Sequence, residues 1–393
     1  MTVEAWTSYE RVKAALEHRE PDRVPFDLGG SVLTGMHRVA YENLRRYLGL
    51  REAPLEIADT MQQLARIHQD VLDILQVDVR AVDPDPASSA PLATPVVEQD
   101  GVRSFTDEWG ITWKTPSGGG LYFDMRVHPL ARAETVTDLE RFAWPDPTDP
   151  ARFGTLKTRA DRFVHEERKA YILGRAGAGV FEIALWMRGF EEFFADLALR
   201  PGFAEALLDI ITELKMRYWD RALDAVGTNV LVVSEADDIA TQRGPIISPA
   251  MYRRFIGPRH RRLFGFIRQR AQSKVHIFYH SCGAVKGLIP QLLDAGIDIL
   301  NPVQVSADGM DTAELKRSYG GSLTFWGGGV DTQHVLPRGT PQQVREEVRR
   351  RVEDLAPGGG FVFSTVHNTQ ADVPPENYMA MWEALRDHGA YRA

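Results

Sequence analysis

Cys282 is the only cysteine of the chain, and it stands two residues after His280 at the end of the apolar run 275–279. Residues i and i+2 of a β-strand lie on one face, so we expect the two side chains to point the same way. A thiolate beside an imidazole can hold Zn²⁺ or act as a nucleophile with its general base. The alternative interpretation is a buried cysteine that packs as a small hydrophobic residue. The residues that follow the other apolar runs decide between these interpretations.

Further side chains that bind metals stand directly after other apolar runs. Glu235 follows one such run and His367 follows another. Catalytic zinc usually takes three protein ligands from histidine, cysteine and acidic residues and leaves one position open. Because a thiolate and imidazoles are softer ligands than carboxylates, this set favours Zn²⁺ over Mg²⁺. We therefore predict a catalytic zinc site formed by His280, Cys282 and His367, with Glu235 as the fourth ligand.

The identity of the fourth ligand stays open at this point. Asp237 or Asp238 could take the place of Glu235, because the spacing of these three acids does not distinguish among them. Each acid could instead cap a helix or lie in a solvated loop. A structural zinc site made only of cysteines is excluded, because the chain has one cysteine. Any zinc bound here is therefore predicted to be catalytic.

The positions of these residues depend on a regular alternation of predicted strands and helices from residue 170 onward. Apolar runs separated by helical stretches are typical of a parallel sheet covered by helices. Two earlier strands bring the count to eight, which indicates a (β/α)₈ barrel, with an open doubly wound sheet as the alternative. A barrel carries its active site at the carboxyl ends of the strands, where the candidate ligands stand. The predicted strands are 22–30, 77–82, 171–175, 230–234, 275–279, 297–301, 323–326 and 361–365.

Three segments lie outside this alternation. An N-terminal helical extension is predicted over 8–17, and a further helical stretch over 55–75. Segment 95–130 contains short apolar runs separated by turns such as Asp100-Gly101, which predicts an antiparallel hairpin insert. No internal repeat, low-complexity tract or long linker divides the chain. We therefore expect one domain over residues 1–393.

Composition excludes several functional classes. The chain has 393 residues, 44% of them hydrophobic and 25% charged, which is typical of a soluble globular protein. The net charge of −8 and the lack of a long basic block argue against a nucleic-acid partner. No apolar run approaches membrane-spanning length, and the first residues lack the pattern of a signal peptide. Together with the single cysteine, these features predict a cytoplasmic protein.

Several longer segments resemble the uroporphyrinogen decarboxylase superfamily. The resemblance extends over almost the whole chain, and it implies a (β/α)₈ barrel. It is carried by the segments AALEHREPDRVP at 14–25, GPIISP at 244–249, HSCG at 280–283, GIDILNP at 296–302 and VPPEN at 373–377.

Within this superfamily, the segment after the first predicted strand separates two branches. True uroporphyrinogen decarboxylases have an arginine-rich stretch there, because their substrate carries many carboxylates. Residues 26–37 contain no arginine and one acid, so charge complementarity with such a substrate fails. The chain resembles more the cobamide-dependent methyltransferases of the methylcobamide:coenzyme M type, which bind zinc through a His-x-Cys pair and a later cysteine. His280 and Cys282 match the pair, and His367 stands where the later cysteine is expected.

This resemblance implies a zinc-dependent methyltransferase. Its partners would be a separate corrinoid protein, which supplies methylcobalamin, and a small thiol or another small methyl donor or acceptor. No nucleic acid or membrane is implied, and a homodimer is compatible with the family. The zinc ligands would be His280, Cys282 and His367, with Glu235 as the fourth. The residues expected to orient the substrate are Asp237, Asp238, Asn301, Gln304 and Asp331.

Two other hypotheses remain. The first is a metal-independent decarboxylase of tetrapyrrole biosynthesis, in which an aspartate such as Asp78 or Asp27 would stabilise a protonated pyrrole. The second is a non-catalytic component that binds a corrinoid or a small ligand within a methyltransferase complex. We rank the methyltransferase first, the decarboxylase second and the binding component third.

Overall fold

The computed structural model describes residues 6–88, 93–117 and 120–391. The prediction about a signal peptide concerns the first residues, of which 1–5 lie outside the described part. The strands are β1 Ile57–Asp59, β2 Leu64–Ala65, β3 Val79–Val82, β4 Val97–Gln99, β5 Val102–Thr106, β6 Thr112–Lys114, β7 Asp124–Val127, β8 Ala170–Leu173, β9 Val232–Ala236, β10 His276–His280, β11 Ile299–Asn301, β12 Thr324–Trp326 and β13 Phe361–Val362.

The α-helices surround these strands, and the longest of them spans 26 residues. None of the helices in the described ranges combines the length and the apolar character needed to cross a membrane. The helices are α1 Ser8–Leu16, α2 Arg38–Tyr47, α3 Gln69–Ile74, α4 Val136–Arg141, α5 Leu156–Asp161, α6 Val180–Arg188, α7 Phe190–Leu199, α8 Pro201–Val226, α9 Pro249–Met251, α10 Gly257–Arg270, α11 Ile289–Ala295, α12 Thr312–Tyr319, α13 Val335–Arg338, α14 Pro341–Leu355 and α15 Pro375–His388.

Seven strands form one curled parallel sheet in the order β13-β12-β11-β10-β9-β8-β3. The segment around Phe26 closes the gap between the two edge strands. The amide of Phe363 donates to the carbonyl of Pro25 at 2.8 Å, and the amide of Asp27 donates back to Phe363 at 2.9 Å. On the other side, the amide of Asp78 donates to the carbonyl of Phe26 at 2.9 Å. This segment takes the eighth position, and the predicted (β/α)₈ barrel is confirmed.

The two faces of each strand have different surroundings. Every one of the seven strands contributes a residue to a cluster inside the barrel: Val79, Ile172, Val232, Phe278, Ile299, Trp326 and Val362. Because successive side chains alternate, Ser234 and Ala236 lie on the same inward face of β9 as Val232. Val233 and Glu235 face outward, toward the helices. This alternation decides which side chains reach the mouth of the barrel.

The N-terminal helical extension and the antiparallel insert are confirmed. Helix α1 packs against the amino ends of the strands, where Val12, Ala15 and Leu16 join the inner cluster. Strands β4–β7 form the predicted antiparallel sheet. The predicted helix over 55–75 is wrong for most of its length, since only α3 is helical. Strands β1 and β2 form a small hairpin there, with Gln63 in the left-handed region at φ +55°.

Candidate metal centre

The carboxyl ends of two strands bring three metal-ligand side chains together. His280 is the last residue of β10, Cys282 lies in the loop that follows, and His367 lies in the loop after β13. One ligand atom from each of these residues lies within 4.8 Å of the other two. The Nε2 atom of His280 is 3.5 Å from the Sγ atom of Cys282, and the two imidazole centroids are 5.5 Å apart. We call these three residues the triad.

The donor set of the triad fits a zinc ion. Zn–N and Zn–S distances of about 2.1 and 2.3 Å place the ligand atoms of a tetrahedral site roughly 3.3–3.8 Å from one another. The His280–Cys282 separation already lies in this range. One thiolate and two imidazoles are the ligand types that zinc prefers. A bound ion would therefore need only a small approach of His367.

Asn301 orients the imidazole of His280. The side-chain amide of Asn301 donates through Nδ2 to the carbonyl of Trp326 at 2.9 Å. The Oδ1 atom of Asn301 is therefore left as an acceptor. That oxygen lies 2.6 Å from Nδ1 of His280. The network assigns the proton to Nδ1 and leaves the lone pair of Nε2 facing Cys282. A neutral histidine in this tautomer is the form that binds a metal.

Burial controls the protonation of the triad. It lowers the pKa of His280 to about 4 and also lowers the pKa of His367, because the imidazolium form loses its hydration. Burial also raises the pKa of the Cys282 thiol, and the charges of Asp238 and Glu182 raise it further. Both histidines are therefore neutral near pH 7, whereas the thiol must lose a proton before it can bind a metal.

Asp238 is the predicted acid that lies closest to the triad. Its Oδ1 atom accepts a hydrogen bond from the amide of Cys282 at 2.7 Å and lies 3.9 Å from Nε2 of His280. Gln304 holds the same loop, since its Oε1 atom accepts from the amide of Gly283 at 2.6 Å. The side chain of Asp238 is 44% exposed, so a ligand in the barrel mouth can reach it.

Glu235 does not join the triad. Its carboxylate pairs with Nζ of Lys215 at 3.0 Å and accepts from the indole of Trp219 at 2.6 Å, both on α8. The reason is its place inside β9, where the alternation turns it outward. Asp237 is also engaged elsewhere, because its Oδ2 atom lies 2.6 Å from Nε2 of His260. Of the three acids that could complete the metal site, Asp238 is the one beside it.

The carboxylate of Asp331 makes hydrogen bonds within its own loop. Its Oδ1 atom accepts from the amide of Gln333 at 2.7 Å, and its Oδ2 atom lies 2.9 Å from Nδ1 of His334. These contacts are local and involve neither the triad nor the residues bonded to it. Of the five residues predicted to orient the substrate, Asp238, Asn301 and Gln304 contact the triad or its loop through their side chains, whereas Asp237 does so only through its backbone amide.

Loops from several parts of the chain hold the segment that carries His367. The hydroxyl of Thr365 donates to the carbonyl of His367 at 2.5 Å. Asn368 is 1% exposed, and its Oδ1 atom accepts from the amide of Gly35 at 2.6 Å. Its Nδ2 atom donates to the carbonyl of Val32 at 2.9 Å and to Oε1 of Gln62 at 2.8 Å. The loop after the first barrel segment thus fixes the position of the second histidine.

Four charged residues at the barrel mouth are absent from the site predicted from the sequence: Asp59, Asp83, Arg175 and Glu182. Arg175 donates through Nη1 to the hydroxyl of Ser234 at 3.0 Å, on the inward face of β9. Burial raises the pKa of Glu182 to about 8, with contributions from Asp238 and Asp237. A signal was available for Asp83, which directly follows a predicted strand in the way the other candidates do.

The two aspartates considered for decarboxylation lie in different places. Asp78 precedes β3 at the amino end of the barrel, where Arg11 and Arg23 pair with it at 2.8 and 2.7 Å. It is therefore remote from the mouth. Asp27 is buried beside the indole of Trp326, which donates to it at 2.8 Å. Burial raises the pKa of Asp27 to about 6.

Comparisons with known proteins agree with this architecture. The chain is 25% identical over 309 residues to a methylated-thiol–coenzyme M methyltransferase of Methanosarcina mazei. The aligned region covers 77% of each chain. It is also 25% identical over 284 residues to a uroporphyrinogen decarboxylase of Pseudomonas fluorescens, covering 70% of this chain and 75% of the other. The fold is that of a solved methyltransferase from Methanosarcina mazei, with a TM-score of 0.67, 19% identity and coverage of 97% of this chain and 99% of that one.

The family assignment follows from a longer match. The sequence profile described as uroporphyrinogen decarboxylase (URO-D) matches residues 110–388, which include β8 to β13 and the whole triad. The chain therefore belongs to the URO-D family.

Proposed function

We propose that this protein is a zinc-dependent methyltransferase that moves a methyl group between a corrinoid, carried by a partner protein, and the sulfur of a small thiol. The observation that supports it most is the convergence of His280, Cys282 and His367 at the barrel mouth. A relative of similar length is named a methylated-thiol–coenzyme M methyltransferase. The proposal combines the similarity to this relative with the presence of three side chains that can bind zinc.

The residues of the chain have distinct tasks in this proposal. Zinc, when bound, supplies a Lewis acid that lowers the pKa of a thiol. His280 and His367 provide neutral imidazoles, and Cys282 provides a thiolate after losing its proton. Asp238 stands 3.9 Å from Nε2 of His280 and can accept the proton that a substrate thiol releases. In the methylating direction the sulfur would form its bond to the methyl carbon, the corrinoid would keep the electron pair of the broken carbon–cobalt bond, and the thiol proton would pass to Asp238.

The decarboxylase alternative has less support from the site, although relatives with that name exist. Asp78 is held by two arginines at the opposite end of the barrel, so it cannot contact a substrate at the mouth. The mouth itself contains Asp59, Asp83 and Asp238, which would repel a substrate with many carboxylates. Incubation with uroporphyrinogen, followed by a search for coproporphyrinogen, tests this alternative directly.

The proposed function is tested by metal content and methyl transfer measured on the same samples. We expect protein purified without added metal to contain about one zinc per chain, and the variants Cys282→Ala and His367→Ala to lose it. The zinc-loaded protein should transfer the methyl group of methylcobalamin to a small thiol, followed by the absorbance change of the corrinoid. His388→Ala removes an exposed histidine at the end of α15 and serves as the matched control.

The outcomes separate the hypotheses. Wild-type protein that is active without metal would contradict the zinc site. Stoichiometric zinc without methyl transfer to any thiol, together with tight binding of a corrinoid protein, would favour the non-catalytic binding component. Loss of zinc in His388→Ala would show that the metal binds elsewhere.

A further inference from the structure

Carboxylates line the mouth of the barrel on the side formed by β3, β8 and β9, adjacent to the triad. The members are Asp59, Asp83, Glu182 and Asp238, and we call this set the acidic wall. Asp83 follows β3, Asp238 follows β9, Glu182 lies in the first turn of α6, and Asp59 ends the hairpin strand β1. The Oδ1 atom of Asp238 accepts from the amide of Cys282 at 2.7 Å, and the amide of Glu182 donates at 2.8 Å to Asp237, the residue before Asp238.

Asp83 points into the barrel mouth. Val79 belongs to the inner cluster, and alternation along β3 turns position 83 to the same face. Gly174 directly follows β8 and donates its amide to the carbonyl of Val82, and an added Cβ atom there would overlap the Asp83 carboxylate. The missing side chain of Gly174 thus makes room for this carboxylate. Among the residues that the structure describes, no side chain or amide donates a hydrogen bond to it.

One guanidinium lies among the carboxylates of the acidic wall. Burial raises the pKa of Asp59, Asp83 and Glu182, and in all three this effect is opposed by the charge of Arg175. Its Nη1 atom donates to Ser234 at 3.0 Å, and its Nε atom is buried without a hydrogen-bond partner. Glu182, whose pKa burial raises to about 8, is largely protonated at pH 7, so Asp59, Asp83 and Asp238 are the carboxylates that face this one guanidinium.

Two other arginines lower the pKa of Asp83: Arg66, which pairs with Glu56 at 3.0 Å at the surface, and Arg159 on α5. The charge of Arg159 opposes the effect of burial on the pKa of the Asp83 carboxylate. Its guanidinium is nevertheless engaged elsewhere, since Nη2 donates to the main-chain carbonyl of Asp83 and lies 3.4 Å from Oδ1 of Asp85. Arg159 therefore pairs with Asp85 and leaves the carboxylate of Asp83 facing the mouth.

The acidic wall therefore lacks a full set of counterions. Burial raises the pKa of Asp59 and of Asp83 despite the nearby arginines, because their ionised forms have lost hydration without gaining a full ion pair. Asp238 lies beside the triad, where it accepts from the amide of Cys282. The Oδ1 atom of Asp59 accepts from the amide of Gln62 at 2.7 Å, so a ligand would meet the other oxygen of Asp59 and the carboxylate of Asp83. A cation placed against them would stabilise the charged form of both.

We propose that the substrate of this site carries a positive charge, which Asp83 and Asp59 hold while its sulfur approaches the triad. The chemical class is a small thiol or thioether with an ammonium or quaternary ammonium group. A sulfonate or carboxylate at the same position would be repelled by the acidic wall. This inference rests on the proposed function, because it names the substrate class of the same site.

Three thiols of one skeleton test the proposal: thiocholine, 2-mercaptoethanol and 2-mercaptoethanesulfonate. They share a two-carbon thiol and differ in the charge of the other end, and the quaternary ammonium group cannot chelate the metal. Dissociation constants are measured by calorimetry on zinc-loaded protein at pH 7 and low ionic strength. We expect thiocholine to bind at least about tenfold more tightly than the sulfonate, with the neutral thiol between them.

Two variants assign the preference to the acidic wall. Asp83→Asn should abolish most of the preference for thiocholine and leave the affinity for 2-mercaptoethanol nearly unchanged, because the neutral thiol makes no use of the charge. Asp124→Asn removes an exposed carboxylate of the insert and serves as the control. Metal content and thermal stability are recorded for both variants, to separate an electrostatic effect from a loss of fold or metal.

Each outcome has a distinct meaning. Equal or tighter binding of the sulfonate would overturn the inference while leaving the proposed function intact. The same holds if the preference for thiocholine survives when Asp59 and Asp83 are both replaced by asparagine. If none of the three thiols binds to the zinc-loaded protein, the proposed function itself fails, and this inference fails with it.

Discussion

The Nδ1 atom of His280 lies 2.6 Å from the Oδ1 atom of Asn301, and this contact decides which nitrogen of the histidine faces the metal centre. The amide group of Asn301 is itself oriented by the carbonyl of Trp326. Trp326, the last residue of β12, thereby sets the tautomer of His280, the last residue of β10. Asn301 and Trp326 can therefore affect the affinity for a metal without contacting it.

The first prediction concerns Asn301. Asn301→Ala should weaken zinc binding by about 10- to 100-fold, because the imidazole loses the partner that fixes its orientation. Asn301→Asp keeps an acceptor for Nδ1 and should retain most of the affinity. Competition with a chelator of known zinc affinity measures both values. Thermal unfolding of the metal-free variants reports the structural cost separately, and equal zinc affinity in Asn301→Ala and the wild type would contradict the assigned role.

The second prediction concerns the pH dependence of metal binding. Above pH 7 both triad histidines are neutral, because burial lowers the pKa of His280 to about 4 and lowers that of His367 as well. Burial raises the pKa of the Cys282 thiol, so binding must displace its proton. The logarithm of the zinc affinity should therefore rise by about one unit per pH unit over this range and fall more steeply near pH 4.

The measurement for the second prediction is a series of zinc titrations at fixed ionic strength from pH 5 to 8. Proton release is followed in parallel by calorimetry in two buffers of different ionisation enthalpy. A flat profile above pH 7 would mean that the thiol is not a ligand. Glu182→Gln removes the other nearby group with a raised pKa and shows whether its proton contributes to the slope.

The third prediction separates Glu235 from the metal centre. Glu235 and Lys215 form a buried pair at 3.0 Å, so Glu235→Gln leaves a buried ammonium without its counterion. Removing one partner of such a pair costs about 3–5 kcal/mol of unfolding free energy. Denaturant unfolding should show this loss, while the zinc content of the folded protein stays unchanged. Loss of zinc from folded Glu235→Gln would restore Glu235 as a ligand candidate.

The control for the third prediction is an exposed ion pair. Glu213 and Arg262 are paired at 2.7 Å with side chains 53% and 50% exposed. Because exposed pairs contribute little, Glu213→Gln should change the unfolding free energy by less than about 1 kcal/mol. A similar loss in both variants would indicate a general effect of charge removal instead of a buried pair.

Glu235 also shows what the sequence can and cannot predict. The existence of a strand near 230–234 was predictable from its apolar residues, and so was the barrel formed by eight such runs. The strand itself spans Val232–Ala236, two residues later, and this shift moves Glu235 from the loop into the strand. Since side chains alternate, a small error in the end of a strand reverses the predicted direction of a side chain.

The residues of the triad and those around it differ in how far the sequence predicts their positions. The His280–Cys282 pair was predictable, because both residues belong to one strand end and their spacing fixes their relation. The approach of His367 depends on the closure of the barrel, and Asp59 reaches the mouth from a hairpin that the sequence suggested to be helical. Contacts between loops distant in the chain depend on tertiary packing, which a local pattern does not contain.

The fourth prediction concerns the antiparallel insert, which reaches the loop of His367 through Tyr122. Its hydroxyl donates to Oε1 of Gln370, and Nε2 of Gln370 donates to the carbonyl of Asn368 at 2.8 Å. Tyr122→Phe keeps the ring against His37 and removes only the hydroxyl. We expect zinc affinity to fall a few-fold with little change in thermal stability, whereas Asn368→Ala should reduce both, since it leaves buried partners unsatisfied. Unchanged zinc affinity in both variants would mean that His367 is positioned by its own loop alone.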